Sequence, residues 1–225
     1  MDLIYYQAKT GNFGDDLNKW IWPKVLGNEI FNENDEDCLI GIGSILDNNS
    51  NLINQSKTYK HKYVFGSGVR SINTVLDLDD SYDIVFLRGP LSSYKINNTI
   101  SNYISDGAYA IGLTDYYDTI KLKPKKHKVG FMPYFRSESK VDWEHICLQN
   151  SWHYISSASN DIEFTMSEIA SCECLITEAM HGAIVADALR VPWKRFRFFA
   201  HIHEGEAVSE FKWNDWLASI NIKKN

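Results

Sequence analysis

The sequence has neither an excess of basic residues nor a long apolar run. Its 225 residues carry 23 Lys and Arg against 29 Asp and Glu, a formal net charge of −6. A nucleic-acid-binding face must neutralise phosphates with basic side chains, so this charge excludes nucleic acid as a general partner. No apolar stretch approaches the roughly 18–20 residues that cross a bilayer. The opening MDLIYY has no basic leader, and we expect it to be the first strand of the mature protein.

Cysteines are few, and the signatures of several common enzyme classes are missing. The four cysteines lie in apolar stretches, as reduced core cysteines do, and we therefore expect a cytoplasmic protein. Cys172 and Cys174 have no matching second pair, which argues against zinc. The motifs G-x-S-x-G and H-E-x-x-H and the kinase set are absent, as are internal repeats and low-complexity tracts.

Apolar residues are plentiful, at 44% hydrophobic and 13% aromatic, which is enough for a substantial core. In the first half, short β-rich runs alternate with polar or helical stretches. The predicted strands are residues 2–7, 38–43, 62–66 and 83–87. Residues 15–27 have helical spacing, with Gly27 as the stop and Pro23 as a point where the helix kinks or splits.

A second unit is predicted after the basic, proline-containing segment 121–128, which suits an exposed linker. From there strands and helices alternate regularly. The predicted strands are 129–135, 152–157, 174–179 and 193–199, and the predicted helices are 142–150, 165–172, 180–190 and 209–220. This alternation indicates an α/β fold with parallel sheets covered by helices.

The domain prediction is two Rossmann-like parallel-sheet domains facing a cleft, residues 1–122 and 123–225, with the last helix packing back across the two. Open α/β sheets bind ligands beyond the carboxyl ends of their strands. Functional side chains are therefore expected where strands run into loops.

The segment GNFGDDLN, which begins at residue 11, stands between the first predicted strand and the first predicted helix. Asp15 or Asp16 can cap that helix, and Gly11 and Gly14 can supply a positive φ in the turn. The same features suit a ligand, because glycines let it approach the backbone, and Asp16 and Asn18 can hold sugar hydroxyls. Spacing alone leaves both interpretations open.

Glycine-rich turns follow two further predicted strands, GIGS at 41–44 and GSG at 66–68. Each is either a close-packing turn or a nest of backbone N–H groups for an anion, and neither has the spacing of a dinucleotide fingerprint or a P-loop. Arg88 directly follows the fourth strand, with Pro90 placed to start a helix. An arginine there can fork onto a carboxylate or phosphate, and the competing interpretation is a surface salt bridge.

The most specific feature is CLITEAMHGAIVADALR, which begins at residue 174. A strand ends at Thr177–Glu178, and His181-Gly182 then opens an apolar helix. A helix N-terminus is a ready anion site, and a histidine at a strand end favours function over a structural role.

Two weaker candidates lie near the end of the second unit. HIHE at 201–204 offers metal-ligating side chains but falls in a predicted loop, and we predict no metal site. WKRFRFF places Lys194, Arg195 and Arg197 on a predicted strand, where one of them can reach the cleft.

The ordered set GNFGDD, GIGS, RGPLS, SDGA, MP and MHGAIVADALRVP resembles the polysaccharide pyruvyl transferase family, most closely its short members from exopolysaccharide operons. The resemblance runs from about residue 5 to residue 197. It implies a compact GT-B-like fold of two Rossmann-type domains. It also implies transfer of pyruvate from phosphoenolpyruvate onto two hydroxyls of one sugar, leaving a cyclic ketal and free phosphate.

The resemblance implies roles for particular residues. The family's C-terminal histidine falls on His181 and its strand-end arginine on Arg88, while Met132-Pro133 opens the second domain. The chain departs from many members at Ala179, where they carry an arginine two residues before the histidine. Arg136, Arg195 or Arg197 then has to supply that charge.

The expected site divides between a donor side on the second domain and an acceptor side on the first. The donor carries a carboxylate and a phosphate, so its site needs cationic forks and helix-end N–H groups. The donor-binding residues expected are Arg88, Arg136, His181, Gly182 and Arg195. The acceptor-binding residues expected are Gly11, Asn12, Gly14, Asp15 and Asn18. Of the catalytic residues expected, His181 acts as acid toward the leaving group, and Asp15 or Asp16 positions or deprotonates the acceptor.

No metal or cofactor is expected besides the donor, because basic side chains can neutralise its phosphate. The expected acceptor is a sugar of a lipid-linked or capsular repeat unit, which would bring the protein transiently to the inner membrane surface. The main alternative is a GT-B glycosyltransferase with a nucleotide-sugar donor, for which Glu178 is the candidate ribose-binding acid. A carbohydrate-binding module without turnover is the third interpretation.

Overall fold

The computed structural model describes residues 1–31, 36–97 and 99–222. Its contacts divide the chain into two compact units. The first unit comprises residues 1–6, 22–107 and 205–225, and the second comprises 7–21 and 108–204. The division differs from the predicted domains 1–122 and 123–225, whose last three residues lie outside the described part. Segments 7–21 and 108–122 group with the second unit, and 205–225 groups with the first.

The elements follow one another in α/β order. The strands are β1 (Asp2–Ile4), β2 (Asp37–Ile40), β3 (His61–Ser67), β4 (Tyr82–Leu87), β5 (His127–Met132), β6 (His153–Tyr154), β7 (Cys172–Thr177) and β8 (Trp193–Arg195). The α-helices are α1 (Phe13–Leu26), α2 (Asn51–Ser56), α3 (Pro90–Asn97), α4 (Asp115–Ile120), α5 (Trp143–Asn150), α6 (Ile162–Ala170), α7 (Met180–Ala188), α8 (Ala200–Glu204) and α9 (Glu206–Ser219). Short 3₁₀ helices lie at Asn28–Ile30, Gly107–Leu113 and Glu138–Lys140.

The first unit contains a four-stranded parallel sheet in the order β1-β2-β3-β4. Its alternating apolar residues form a buried cluster that includes Ile40, Val64 and Leu87 from the strands and Phe211 from α9. Burial of this apolar surface is what fixes the strand register, because a one-residue slip would turn each of these side chains to the opposite face.

The second unit contains a four-stranded parallel sheet in the order β6-β5-β7-β8. Apolar residues Ala183–Ala186 of α7 are fully buried, as the continuous apolar pattern of that helix predicts. Asp161 accepts a hydrogen bond from Phe164 N at 2.9 Å and so caps α6.

Several element boundaries differ from those predicted. α1 is one helix through Pro23, so the predicted split is wrong; Gly27 N still donates to Pro23 O at 3.1 Å. The edge strands β6 and β8 are shorter than predicted because each has a neighbour on one side alone. Residues 201–204 belong to helix α8 and not to a loop.

The predicted fold class, α/β with two Rossmann-like parallel-sheet units, is confirmed. The predicted GT-B-like arrangement around a cleft stays a prediction. In the described part of the chain, none of the helices combines the length and the apolar character needed to cross a membrane.

Candidate active site

The second sheet has a topological switch point between β5 and β7. The chain leaves β5 for β6 on one side and leaves β7 for β8 on the other, while Met132 and Thr177 pair at the carboxyl ends of the two strands. The loops after β5 and β7 therefore diverge, and in open α/β sheets such a point is where ligands bind.

α7 begins directly beyond this switch point. Its N-cap is Ala179, which makes no side-chain hydrogen bond to the helix, and the dipole of a helix favours an anion at this end. His181 is the second residue of α7 and is half-buried. A Cβ atom at Gly182 would lie 2.6 Å from Met132 Sδ and 2.8 Å from Thr177 Oγ1. Close packing of α7 on the strand ends thus explains Gly182, which was expected to bind the donor.

The glycine-acid motif lies against this histidine. A Cβ atom at Gly14 would be 2.6 Å from His181 Cγ and closer still to Nδ1, so the imidazole occupies the space that a side chain would need. Gly14 lies inside α1, and the positive φ proposed for it is wrong; Gly11, with φ +81°, has one. The structure therefore brings the two most informative motifs of the sequence together within the second unit.

The loop after β6 is hydrogen-bonded to the glycine-acid motif. Phe13 N donates to Ser157 O at 2.9 Å. Glu138 Oε1 in turn accepts hydrogen bonds from Ser157 N at 2.6 Å and Ala158 N at 3.1 Å. Sequence reasoning missed Glu138, since no motif or spacing relates it to a loop 19 residues later.

The acids and amides of the motif have different roles. Asp16 is buried, accepts from Asn12 N at 3.3 Å and pairs with Lys19 at 3.1 Å. Asn18 is fully buried, and its Nδ2 donates to Asp15 O at 2.9 Å. Asp15 is half-buried and its side chain accepts from Asn12 Nδ2. Asp16 and Asn18 therefore stabilise the start of α1, which leaves Asp15 as the acid best suited to meet a ligand.

Tyr134 and Arg136 lie just beyond the end of β5. Burial raises the pKa of Tyr134 above its usual range, Glu204 raises it further, Arg136 lowers it and Asp15 raises it. Asp15 and Arg136 are therefore close enough to Tyr134 for their charges to affect its pKa. Arg136 is exposed, with its guanidinium 5.1 Å from the centre of the Phe135 ring. Tyr134 was missed, although its position directly after Met132-Pro133 was a usable signal.

Arg195 ends β8 and pairs in register with Thr177 at the end of β7. It is half-buried, so the structure keeps it at the carboxyl edge of the second sheet, as expected of a donor-binding residue. Arg197 follows on the exposed chain beyond the strand.

Arg88 belongs to the first unit and has a different environment. It is 0% exposed; its Nε donates to Asp215 Oδ2 at 3.1 Å, and its other nitrogens donate to Ser44 Oγ at 2.7 Å and Val69 O at 3.2 Å. Asp215 also accepts from the α3 backbone at Leu91 N. A guanidinium so fully engaged inside the protein is poorly suited to bind a donor, and we leave it out of the site proposed below.

Glu178 has a structural role at the end of β7. It is 4% exposed, and its Oε1 accepts from the backbone N–H groups of Phe198, Phe199 and Ala200 at 2.6–2.9 Å. These bonds hold the segment after β8 beside the start of α7. A carboxylate used in this way is poorly placed to bind a ribose.

Of the described residues, one cluster could hold a metal ion. His127, His153 and Glu168 offer ligand atoms within 4.8 Å of one another. His127 and His153 begin β5 and β6, at the opposite edge of the sheet from His181. Their rings are stacked at 3.7 Å, and His153 Nε2 lies 2.5 Å from Glu168 Oε2, so a hydrogen bond and ring stacking already explain the cluster.

Comparison with known proteins relates this chain to a family. The family model for polysaccharide pyruvyl transferase matches residues 2–193. The chain is 32% identical to the succinoglycan biosynthesis protein ExoV of Rhizobium meliloti over 226 aligned positions, 99% of this chain. It spans 66% of the length of that relative. A crystal structure of a functionally uncharacterised protein from Klebsiella pneumoniae subsp. pneumoniae has the same fold, with a TM-score of 0.55 and 16% identity over 93% of this chain and 87% of that one.

Proposed function

Because the chain belongs to the polysaccharide pyruvyl transferase family, we propose that it transfers pyruvate from phosphoenolpyruvate to a sugar of an exopolysaccharide repeat unit. One observation carries the proposal. His181 stands at the uncapped start of α7, at the switch point of the second sheet, in contact with the glycine-acid motif.

The donor anions fit the charges at this edge of the sheet. The phosphate binds at the first turn of α7, where backbone N–H groups and the helix dipole favour negative charge. Arg195 at the end of β8 and Arg136 beyond β5 supply cations for the carboxylate. These two arginines replace the one that many family members carry at the position of Ala179.

The chemistry requires two proton transfers. The methylene carbon of the donor gains a proton as one sugar hydroxyl bonds to the adjacent carbon. The second hydroxyl then bonds to that carbon, the C–O bond to phosphate breaks, and the cyclic ketal forms. The two hydroxyl protons thus end on the methyl group and on the released phosphate.

We assign these transfers to two side chains. His181 lies at the start of α7, where the phosphate binds, and it donates the proton to that leaving group. Asp15 is the residue after Gly14, which the imidazole contacts. It accepts the proton of the first attacking hydroxyl and passes it to the methylene carbon, and His181 regains its own proton from the second hydroxyl. We assign no part in this step to Asp16, because it is more buried than Asp15 and its carboxylate is paired with Lys19.

The acceptor is proposed to bind on the motif side of His181, as a sugar of a lipid-linked repeat unit met at the inner membrane surface. The nucleotide-sugar alternative is less well supported, because Glu178 is already engaged by three backbone N–H groups.

The test is an incubation of the purified chain with phosphoenolpyruvate and deacylated exopolysaccharide repeat units. We expect phosphate release together with a ketal methyl signal in the NMR spectrum of the product, and loss of both in His181→Gln. Nucleotide release from nucleotide sugars with no phosphate release from phosphoenolpyruvate would overturn the proposal in favour of the glycosyltransferase.

A further inference from the structure

A groove of about 550 Å³ lies on the surface of the second unit. Its lining comes from α1 and from the start of α6: Lys19, Trp20, Asn160, Asp161, Ile162 and Glu163. None of these residues takes part in the reaction proposed above.

Trp20 is a rigid, partly exposed wall of this groove. Its Nε1 donates to Glu163 Oε1 at 2.8 Å, and its ring meets Tyr116 edge-on with centroids 5.6 Å apart. The Tyr116 hydroxyl donates to Glu163 O at 2.8 Å, which fixes the whole group to α6. An indole held in this way loses little conformational freedom when a ligand packs against it.

The polar groups around the indole suit hydroxyls better than ions. Asn160 is exposed and offers both a donor and an acceptor, and Asp161 and Glu163 add carboxylate acceptors. Lys19, the basic side chain of the lining, is paired with Asp16 at 3.1 Å. The acidic side chains of the rim disfavour phosphates and carboxylates, and the indole face beside an amide and two carboxylates suits the apolar face and hydroxyls of a neutral sugar.

The groove adjoins the glycine-acid motif. A Cβ atom at Gly11 would overlap Asn160 Oδ1 and would lie 3.0 Å from Asn160 Cγ. Asn160, in the loop before α6, therefore touches Gly11, the first residue of the motif. Trp20 lies on the same helix as Gly14, which contacts His181. The contact between Gly11 and Asn160 therefore brings the groove next to the acceptor side proposed above.

We propose that the Trp20 groove is a subsite for a neutral hexopyranose residue of the acceptor chain, beyond the residue that receives the pyruvate. The apolar face of the pyranose packs on the indole, and its hydroxyls bond to Asn160, Asp161 and Glu163. This inference rests on the proposed function, since it takes the acceptor to be an oligosaccharide.

Binding without donor tests the subsite separately from the reaction. Cellotetraose and a β-1,4-galactotetraose are the neutral probes, and tetragalacturonate is the anionic one; binding is followed by isothermal calorimetry and saturation-transfer NMR. We expect at least one neutral probe to bind. Trp20→Ala should weaken it about tenfold, because truncating a buried tryptophan anchor costs more than about 1 kcal/mol of binding.

Matched variants keep the result interpretable. Trp20→Phe retains an aromatic wall and should bind almost as well as the native chain, while Phe164→Ala removes an exposed aromatic of α6 outside the groove and should change nothing. Asn160→Ala, at an exposed position, should weaken binding even if Trp20→Ala fails to fold.

Equal binding by Trp20→Ala and the native chain, no binding of either neutral probe, or tighter binding of tetragalacturonate would overturn the subsite. The outcome is distinguishable from failure of the proposed function. His181→Gln should bind the neutral probe normally, and a chain that binds it but never releases phosphate from phosphoenolpyruvate keeps the subsite and loses the pyruvyl transfer.

Discussion

At the carboxyl edge of the first sheet, Arg88 is 0% exposed and its charge is met by Asp215 of α9. At the carboxyl edge of the second sheet, His181 is half-buried at the start of α7, against Gly14 of the glycine-acid motif. Both edges carry glycine-rich turns, a polar side chain at a strand end and a following helix. They differ in what fills the space beyond the strands.

The strand order explains part of this difference. In the first sheet the strands follow chain order β1-β2-β3-β4, so the direction of the crossovers never reverses within the described sheet. In the second sheet the order β6-β5-β7-β8 reverses direction at β5 and β7 and opens a crevice there. α9 supplies the rest, because its Asp215 both pairs with Arg88 and accepts from the start of α3.

At this edge of the first sheet, Gly68 leaves space for the Arg88 guanidinium. A Cβ atom at Gly68 would lie 2.7 Å from Arg88 Nε, and Ser44 of the GIGS turn accepts from Arg88 Nη1 at 2.7 Å. The turns GIGS and GSG therefore pack around the guanidinium of Arg88, which belongs to the protein and is no ligand. A strand-end arginine between glycine turns is thus insufficient evidence of a ligand site.

Removing the imidazole of His181 should have the largest effect on activity. We expect His181→Ala and His181→Gln to lower kcat by about 10²–10⁴-fold, the usual contribution of a general acid. Melting temperatures of the variants, measured beside phosphate release, should stay within a few degrees of the native value. Turnover near the native rate in both variants would show that His181 has no part in catalysis.

Breaking the Arg88–Asp215 pair should have the largest effect on stability. Arg88→Ala or Asp215→Ala leaves an uncompensated buried charge and should lower the free energy of unfolding by about 3–5 kcal/mol in urea titrations. Asp118→Ala, which breaks an exposed pair with Lys121, should leave the free energy of unfolding almost unchanged. A raised KM for phosphoenolpyruvate in Arg88→Ala without any loss of stability would instead assign Arg88 to the donor site.

Filling the space under the imidazole should affect both activity and stability to a smaller degree. Gly14→Ala places a methyl group against the His181 ring, which must shift. We expect a cost of about 1–3 kcal/mol from overpacking and up to about 10²-fold in kcat from displacement of the acid. Gly112→Ala is the matched control, since nothing lies within 4 Å of its Cβ, and both stability and turnover should stay native. A fully active Gly14→Ala would contradict the contact between motif and histidine.

The smallest effect expected is a pH dependence at the amino edge of the second sheet. Burial lowers the pKa of His127 below 6.5, and the neighbouring His153 lowers it further. The unfolded chain therefore binds more protons than the folded one below pH 6.5, so stability is complete above that pH and declines as the pH falls below it.

His127→Gln should flatten this decline in urea titrations taken across that range, whereas His61→Gln, at an exposed position, should not. An unchanged slope in His127→Gln would show that the stacked pair does not couple protonation to folding.

Much of the fold was predictable, because periodicity and turn residues report on local structure. The strand of residues 62–66 and the helix of 180–190 appear as β3 and α7, since their apolar patterns match the burial they achieve. The short β6 and β8 were not predictable, because sheet position decides how far an edge strand is paired. Helix α8 was missed for a similar reason: Glu178, which binds the chain just before it, is distant in sequence.

The sequence by itself determined the α/β class, the two parallel sheets and the family, because these depend on patterns along neighbouring residues. Only the tertiary structure decided that Gly14 makes room for His181, that Asp16 is buried and paired with Lys19, and that Arg88 is closed off by Asp215. Those distinctions depend on contacts between segments as distant in sequence as Gly14 and His181, and no local pattern encodes which buried charge finds which partner.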